Sequence, residues 1–188
     1  MNAWSLPMSA DIGGKNYRIN ADYRDVLDIL QRLGNGSVPE FVRWNTALAL
    51  FYDEPIPPAQ REAAARWLCD FVECGQRQEE ANSGPPPKPL IGWKQDALII
   101  VADVNKVAGQ EIRALPFLHW WTFMAYFSAI GEGQLSTLVG IRSKLQRGKK
   151  LEKWEQDYYR ENKARVDIRP PLSAEEESER ERLRQLLR

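Results

Sequence analysis

Apolar residues recur along most of this chain at helical spacing and define a series of amphipathic segments. The densest, residues 114–131, reads ALPFLHWWTFMAYFSAIG and holds no Asp, Glu, Lys or Arg. Pro116 suits a first helical turn, where its missing N–H would be unsatisfied in any case. Phe117, Trp120, Trp121, Met124 and Phe127 then share one face, and His119, Thr122 and Tyr126 form a thinner polar stripe. The run is shorter than the roughly 20 apolar residues of a membrane span, opens on a proline and lacks basic flanks. It reads as a buried core helix around which the rest of the chain is arranged.

The other segments follow in order. Residues 10–12 and 17–19 flank Gly13-Gly14-Lys15-Asn16 and read as a small β-hairpin that must lie on something helical. A first helix begins at Asp22, with Tyr23, Val26, Leu27, Leu30 and Leu33 inward, and stops at Gly34-Asn35-Gly36. Ser37 and Glu40 have capping-box spacing ahead of a second helix with Phe41, Trp44, Leu48 and Phe51 on one face. A third helix, residues 58–74, turns Ala64, Trp67, Leu68, Phe71 and Val72 inward, with Gly75 at its C′ position. Residues 76–89 are polar, then proline-rich, and read as an exposed loop. A fourth helix, residues 93–107, has Ala97, Ile100, Val101, Val104 and Ala108 as its stripe and Gln95, Asp96 and Asp103 as polar positions. A helix from Gln134 is lined by Leu135, Leu138, Ile141 and Leu145. Leu151, Trp154 and Tyr158 give a sparser face, and a last helix starts at the capping box of Ser173 and Glu176 and carries Leu183, Leu186 and Leu187. The fold expected is mainly α: a compact helical core domain, residues 1–148, with an N-terminal β-hairpin, and a charged helical C-terminal extension, residues 149–188.

Charge changes this picture only locally. The net charge is zero, but residues 1–140 hold 12 basic and 16 acidic side chains and residues 141–188 hold 14 basic and 10 acidic. That asymmetry points to a partner for the C-terminal part. Arg142, Lys144, Arg147, Lys149, Lys150 and Lys153 form the densest basic stretch and, beside Trp154, Tyr158 and Tyr159, are the candidates for contact with nucleic acid. The zero net charge argues against that use.

Candidate chemistry is sparse. His119 is the single histidine, so it reads as a hydrogen-bonded structural residue rather than a catalytic base. Cys69 and Cys74 with one histidine make no zinc set and read as free thiols. Gly13-Gly14-Lys15 lacks the remaining spacing of a phosphate loop. No catalytic residue, cofactor site or metal site is assigned. Residue 1 begins a polar segment without a signal-peptide pattern.

Four short blocks carry a resemblance. They are Trp4-Ser5-Leu6-Pro7 with Gly13-Gly14-Lys15, Tyr17, Ile19, Asp22 and Arg24; Gln95-Asp96-Ala97; Leu118-His119-Trp120-Trp121 with Phe123; and Gly140-Ile141-Arg142-Ser143. In order and spacing, over about residues 4–145, the chain resembles the bacteriophage gene-product-fifteen family. Ile141 stands where many members carry an aromatic residue. The resemblance implies a protein of long-tailed phages or prophages, encoded among the tail genes before the tape-measure protein. It further implies a non-enzymatic tail assembly chaperone, or a close associate of one, that binds the tape-measure protein in the cytoplasm of the bacterial host. The family supplies no catalytic residues, and His119, Trp120, Trp121 and Arg142 match it as core and scaffold positions.

Other tail proteins and further copies of the chain are the remaining partners to consider; a membrane is not. Trp154, Tyr158, Leu183, Leu186 and Leu187 are the partner-binding candidates, because the C-terminal helices offer a few apolar side chains amid charge. The alternatives are a nucleic-acid-binding or packaging-associated phage protein acting through residues 142–153, and a structural component of the virion.

Overall fold

The computed structural model describes residues 4–76 and 88–168, together with residues 182 and 185. It is mainly α-helical, with one two-stranded antiparallel hairpin at the N-terminal end. Strands β1 (Ser9–Ile12) and β2 (Lys15–Arg18) pair with Ile12 opposite Lys15. Gly13 and Gly14 make the two-residue turn, with φ of +61° and +81°. A type I′ turn needs positive φ at both positions, which glycine adopts without steric cost. Ala10, Ile12 and Tyr17 are buried, so the hairpin lies on the helical core, as its small size requires.

Helices α1 (Tyr23–Leu33), α2 (Glu40–Phe51) and α3 (Arg61–Val72) pack in succession. α1 starts where its sequence predicts: Asp22 Oδ1 accepts the Arg24 N–H at 3.0 Å. Its deepest side chains are Tyr23, Val26 and Ile29. α2 departs from expectation. The Ser37 N–H donates to Asn35 Oδ1 instead of Ser37 capping the helix, and Pro39 holds the N-cap position with no side-chain bond. No residue from 40 to 46 is buried, so Phe41, expected inward, is 70% exposed. Full burial is confined to the last turns of α2, at Ala47, Leu48 and Phe51, while Trp44 is half-buried against the core.

α3 ends one residue earlier than the glycine suggests. Cys74 takes the left-handed position, φ +55°, and donates its N–H to the Phe71 carbonyl, while the Gly75 N–H reaches the Asp70 carbonyl at 2.7 Å. This is the double hydrogen bond of a Schellman ending, with Gly75 at C″.

The run at 114–131 is not one helix. Residues Ile112–Ala114 form a 3-10 turn, the chain is extended through Leu118, and helix α5 (Trp120–Ser128) begins after His119. Pro116 therefore precedes the helix, and Phe117 is half exposed. The reason is a competing set of bonds. Extended backbone lets the Tyr23 N–H donate to the Leu118 carbonyl and the Trp120 N–H to the Ala21 carbonyl, at 2.9 and 2.8 Å. The role of this stretch as the centre of the core nevertheless stands. Trp120, Trp121 and Phe123 are buried, and Phe123 stacks on Tyr23 at 4.8 Å between ring centroids. The two indole N–H groups donate to the Val72 and Phe71 carbonyls at 3.0 and 2.8 Å. They satisfy acceptors in the last turn of α3 that a helix end leaves without intrahelical partners.

α4 (Ala97–Ala108) packs on both α5 and α6 (Gln134–Gln146), and α6 packs on α7 (Lys153–Val166). Gly109, φ +67°, closes α4 as its sequence predicts. Asp103, on α4, is buried and accepts the Leu135 N–H at 3.0 Å, so α4 supplies a cap to the first turn of α6. A Cβ on Gly133 would lie 2.9 Å from Asp103 Oδ2, which explains a glycine at that approach. Beside the main core, Leu138, Ile141, Leu151 and Val166 form a second, smaller apolar cluster beneath α6 and α7, with Tyr158 and Tyr159 against it.

Candidate functional site

The partner-binding candidates divide. Trp154, in the first turn of α7, is 57% exposed. Tyr158, one turn later, packs against the second apolar cluster and helps to dock α7. Leu183, Leu186 and Leu187 lie outside the described residues.

The basic stretch also divides, and its first member is a correction to the electrostatic reading. Arg142 does not face solvent. Its side chain is 3% exposed and forms a two-pronged pair with Asp96, at 2.6 and 3.0 Å. The same guanidinium donates to the carbonyls of Leu90, Arg165 and Val166 at 2.9, 2.8 and 2.7 Å. A planar fork with five donors suits such a site, and an ammonium could not replace it. Arg142 is therefore unavailable to a phosphate and serves as the scaffold residue that its matching family position suggested. Lys144 is also engaged, donating to both oxygens of buried Glu155 at 2.7 and 2.8 Å. That bond and the Glu152 N–H hold the Glu155 carboxyl below its ordinary range. Arg147, Lys149, Lys150 and Lys153 are exposed and form the remaining basic face.

His119 has both ring nitrogens committed. Nδ1 accepts the Trp121 N–H at 3.0 Å and caps α5, while Nε2 lies 3.0 Å from the Pro7 carbonyl. With Nδ1 accepting, the proton of the neutral ring sits on Nε2 and is donated to Pro7. Burial lowers the His119 pKa from the usual value. Neither nitrogen is left to act as a base on a substrate. Burial also raises the Cys74 thiol pKa, which opposes thiolate formation.

The four sequence blocks meet in pairs. In the first junction, Asp22 caps its own helix, pairs with Arg24 at 2.7 Å and accepts the Leu118 N–H at 3.0 Å. Burial opposes ionisation of Asp22, but the Arg24 and Leu118 donors outweigh it and its pKa is lowered. The second junction is Asp96 with Arg142, where Asp96 also accepts the Gly92 N–H at 2.8 Å. Sequence reasoning had Asp96 and Asp103 as plain polar positions and missed their burial. For Asp96 a signal was present, since it and Arg142 each stand inside one of the quoted blocks.

Among the described residues, no group of three or more His, Cys, Asp and Glu side chains is placed to hold a metal ion, and no helix is long and apolar enough to cross a membrane. No curated protein and no solved structure matches the chain. A family model described as "Bacteriophage Gp15 protein" matches residues 4–168. The match runs past Leu145, where the quoted blocks end, and takes in all of α7, including the Glu155, Arg165 and Val166 contacts. With most of its length under that model, the chain belongs to the bacteriophage Gp15 protein family.

Proposed function

We propose that this phage protein is a non-enzymatic tail assembly chaperone, or a close associate of one, which binds the tape-measure protein in the host cytoplasm before the tail tube forms. Membership of the Gp15 family carries this reading, through the tail-gene setting that the resemblance implies. The division of labour within the chain supports it. Polar side chains that could have done chemistry are spent on joining helices: His119 on α5, Arg142 on α4 and α7, Asp103 on α6. Trp154, by contrast, presents a large apolar surface on a helix that is itself anchored. Repeated weak contacts of that kind suit a long amphipathic client.

Co-expression with the long helical protein encoded nearest downstream, followed by affinity capture and size-exclusion light scattering, tests the proposal. A soluble complex with several copies of this chain per client is the expected result. An insoluble client beside a solitary chain removes it. A structural role predicts instead that the protein is found in purified virions, and a packaging role predicts DNA binding that weakens steeply with salt.

A further inference from the structure

Residues 88–90 and the C-terminal half of α6 enclose an open groove of about 820 Å³. Leu90 and Leu145 give it apolar surface, Lys88 and Arg147 give it charge, and none of the described residues that line it is acidic. Lys149 and Lys150, both exposed, continue the positive charge beyond the end of α6. Within the described residues none of these four cations has a carboxylate partner. They contrast with Lys144, which is consumed by Glu155.

The chain leaves its last anchored position beside this groove. The Arg142 guanidinium holds the Val166 and Arg165 carbonyls on one side and the Leu90 carbonyl on the other. Gln146 then donates to the Pro89 carbonyl at 3.1 Å, one turn farther along α6. The groove wall and residue 166 are thus tied to the same side chain. Seven residues beyond 168 can span about 24 Å, enough to bring residue 175 to the groove. There the sequence turns acidic: Glu175, Glu176, Glu177, Glu179 and Glu181 within seven positions, with Arg180 the only opposing charge. Leu183, Leu186 and Leu187 follow.

We propose that residues 175–181 of the same chain dock on this groove, their carboxylates against Lys88, Arg147, Lys149 and Lys150, and mask the basic face that sequence alone offers to nucleic acid. Both the sign of the charge and the short tether favour this occupant, since a tethered segment competes at a high effective concentration. The proposal does not rest on the tape-measure reading.

Zero-length carbodiimide cross-linking of the full-length protein at low concentration and low salt, with peptide mapping of the monomer band, tests it. The close pairs Lys144–Glu155 and Lys15–Glu54, at 2.7 and 2.6 Å, serve as internal positive controls. Links from Lys88, Lys149 or Lys150 to Glu175–Glu181 peptides are expected, and they should fade in 0.5 M salt as screening shortens to a few ångströms. Control links without these, links from the lysines to Glu79 or Glu80 instead, or links found only between copies would each overturn the proposal. A second measurement guards against unreactive geometry. In the variant Lys149→Glu/Lys150→Glu, amide exchange over residues 175–187 should quicken at least about tenfold at low salt, while α1 is unchanged. An unchanged rate there would sink the idea independently.

Discussion

Asp22 reaches the Leu118 N–H across 96 positions of sequence, and Asp96 reaches Arg142 across 46. Both junctions bury carboxylates and both coincide with the sequence blocks, yet they are built differently. Around Asp22 the charge is only half enclosed. Arg24 is 44% exposed, and the surroundings are aromatic: Tyr23, Phe71, Trp121 and Phe123. Polar groups there close backbone gaps left by helix ends, and apolar burial supplies the cohesion. Around Arg142 the proportions reverse. Among the described residues its cluster has four buried apolar side chains, and the pair itself is 3% and 0% exposed. Removing two charges from water costs several kcal/mol each, so such a pair adds little net stability beyond apolar packing. What it supplies is geometry: one guanidinium fixes α4, α7 and residue 90 at a common point. The first region should thus lose stability smoothly as apolar area is removed, and the second should fail once its single hub is broken.

Two substitutions of comparable cost set the regions apart. Phe71→Ala removes a fully buried ring that touches Phe51, Trp67 and Trp121, and should cost about 3–5 kcal/mol. Urea unfolding should shift as one transition, with amide protection falling together in α1, α3 and α5. Arg142→Ala leaves the buried Asp96 carboxyl without its guanidinium partner, and should also cost about 3–5 kcal/mol. Here protection should fall first across residues 153–168 while α1 keeps most of its own. If both variants lose protection uniformly, the chain has one cooperative unit and the contrast is wrong. Arg142→Met combined with Asp96→Leu should recover part of the loss, though the carbonyls of Leu90, Arg165 and Val166 would still lack donors.

That contrast also tracks what the sequence made legible. Periodicity found α1 and α6, and Gly13-Gly14 found the hairpin, because those signals are local: a stripe of apolar residues or a turn that requires positive φ. Gly109 was equally plain as a helix stop. The start of α5 was not, since apolar density alone cannot tell a buried helix from buried extended backbone. Pro116 permits a first turn, but Leu118 gains more by pairing with Tyr23, remote in sequence, and His119 then acts as the cap. Arg142 was hardest to place from its neighbours. A base in a basic run looks like surface charge until its tertiary partner is known, and only its position in a family block marked it as scaffold. For the candidate surface, Trp154 and Tyr158 were visible as apolar residues amid charge, but which one docks and which one faces solvent depends on where α6 lies.

A smaller effect separates the junctions by pH. The His119 pKa is lowered by burial, so as pH falls from about 7 the unfolded chain binds a proton first, near the ordinary imidazole value of about 6.5. Stability should therefore decline below neutrality and level off once the folded protein is also protonated. Protonated Nδ1 would aim an N–H at the Trp121 N–H it now accepts. His119→Ala should cost about 1–3 kcal/mol by leaving that buried donor unmet. His119→Asn can still cap the helix and should restore much of the loss while flattening the pH slope. Because His119 is the only histidine, an undiminished slope between about pH 7 and 6 in the Asn variant, above the ordinary carboxylate range, would rule out this origin.

Trp154→Ala should have the smallest effect on folding. Its ring is 57% exposed and takes no part in the Glu152–Glu155 cap or the Lys144–Glu155 pair beside it, and an exposed substitution of that kind usually changes stability by less than about 0.5 kcal/mol. The expected outcome is an unchanged urea midpoint with weaker capture of the co-expressed tape-measure protein. Because α7 is anchored at its other end by the Val166 carbonyl on Arg142, removing the ring should not release the helix, so the binding loss can be read as loss of surface. If capture is unchanged while folding is unchanged, Trp154 is a bystander and the client-binding surface lies elsewhere. If Arg142→Ala abolishes capture as well, the anchored geometry of α7, and not the indole alone, presents that surface. The two variants together therefore separate what α7 displays from how the buried hub holds it.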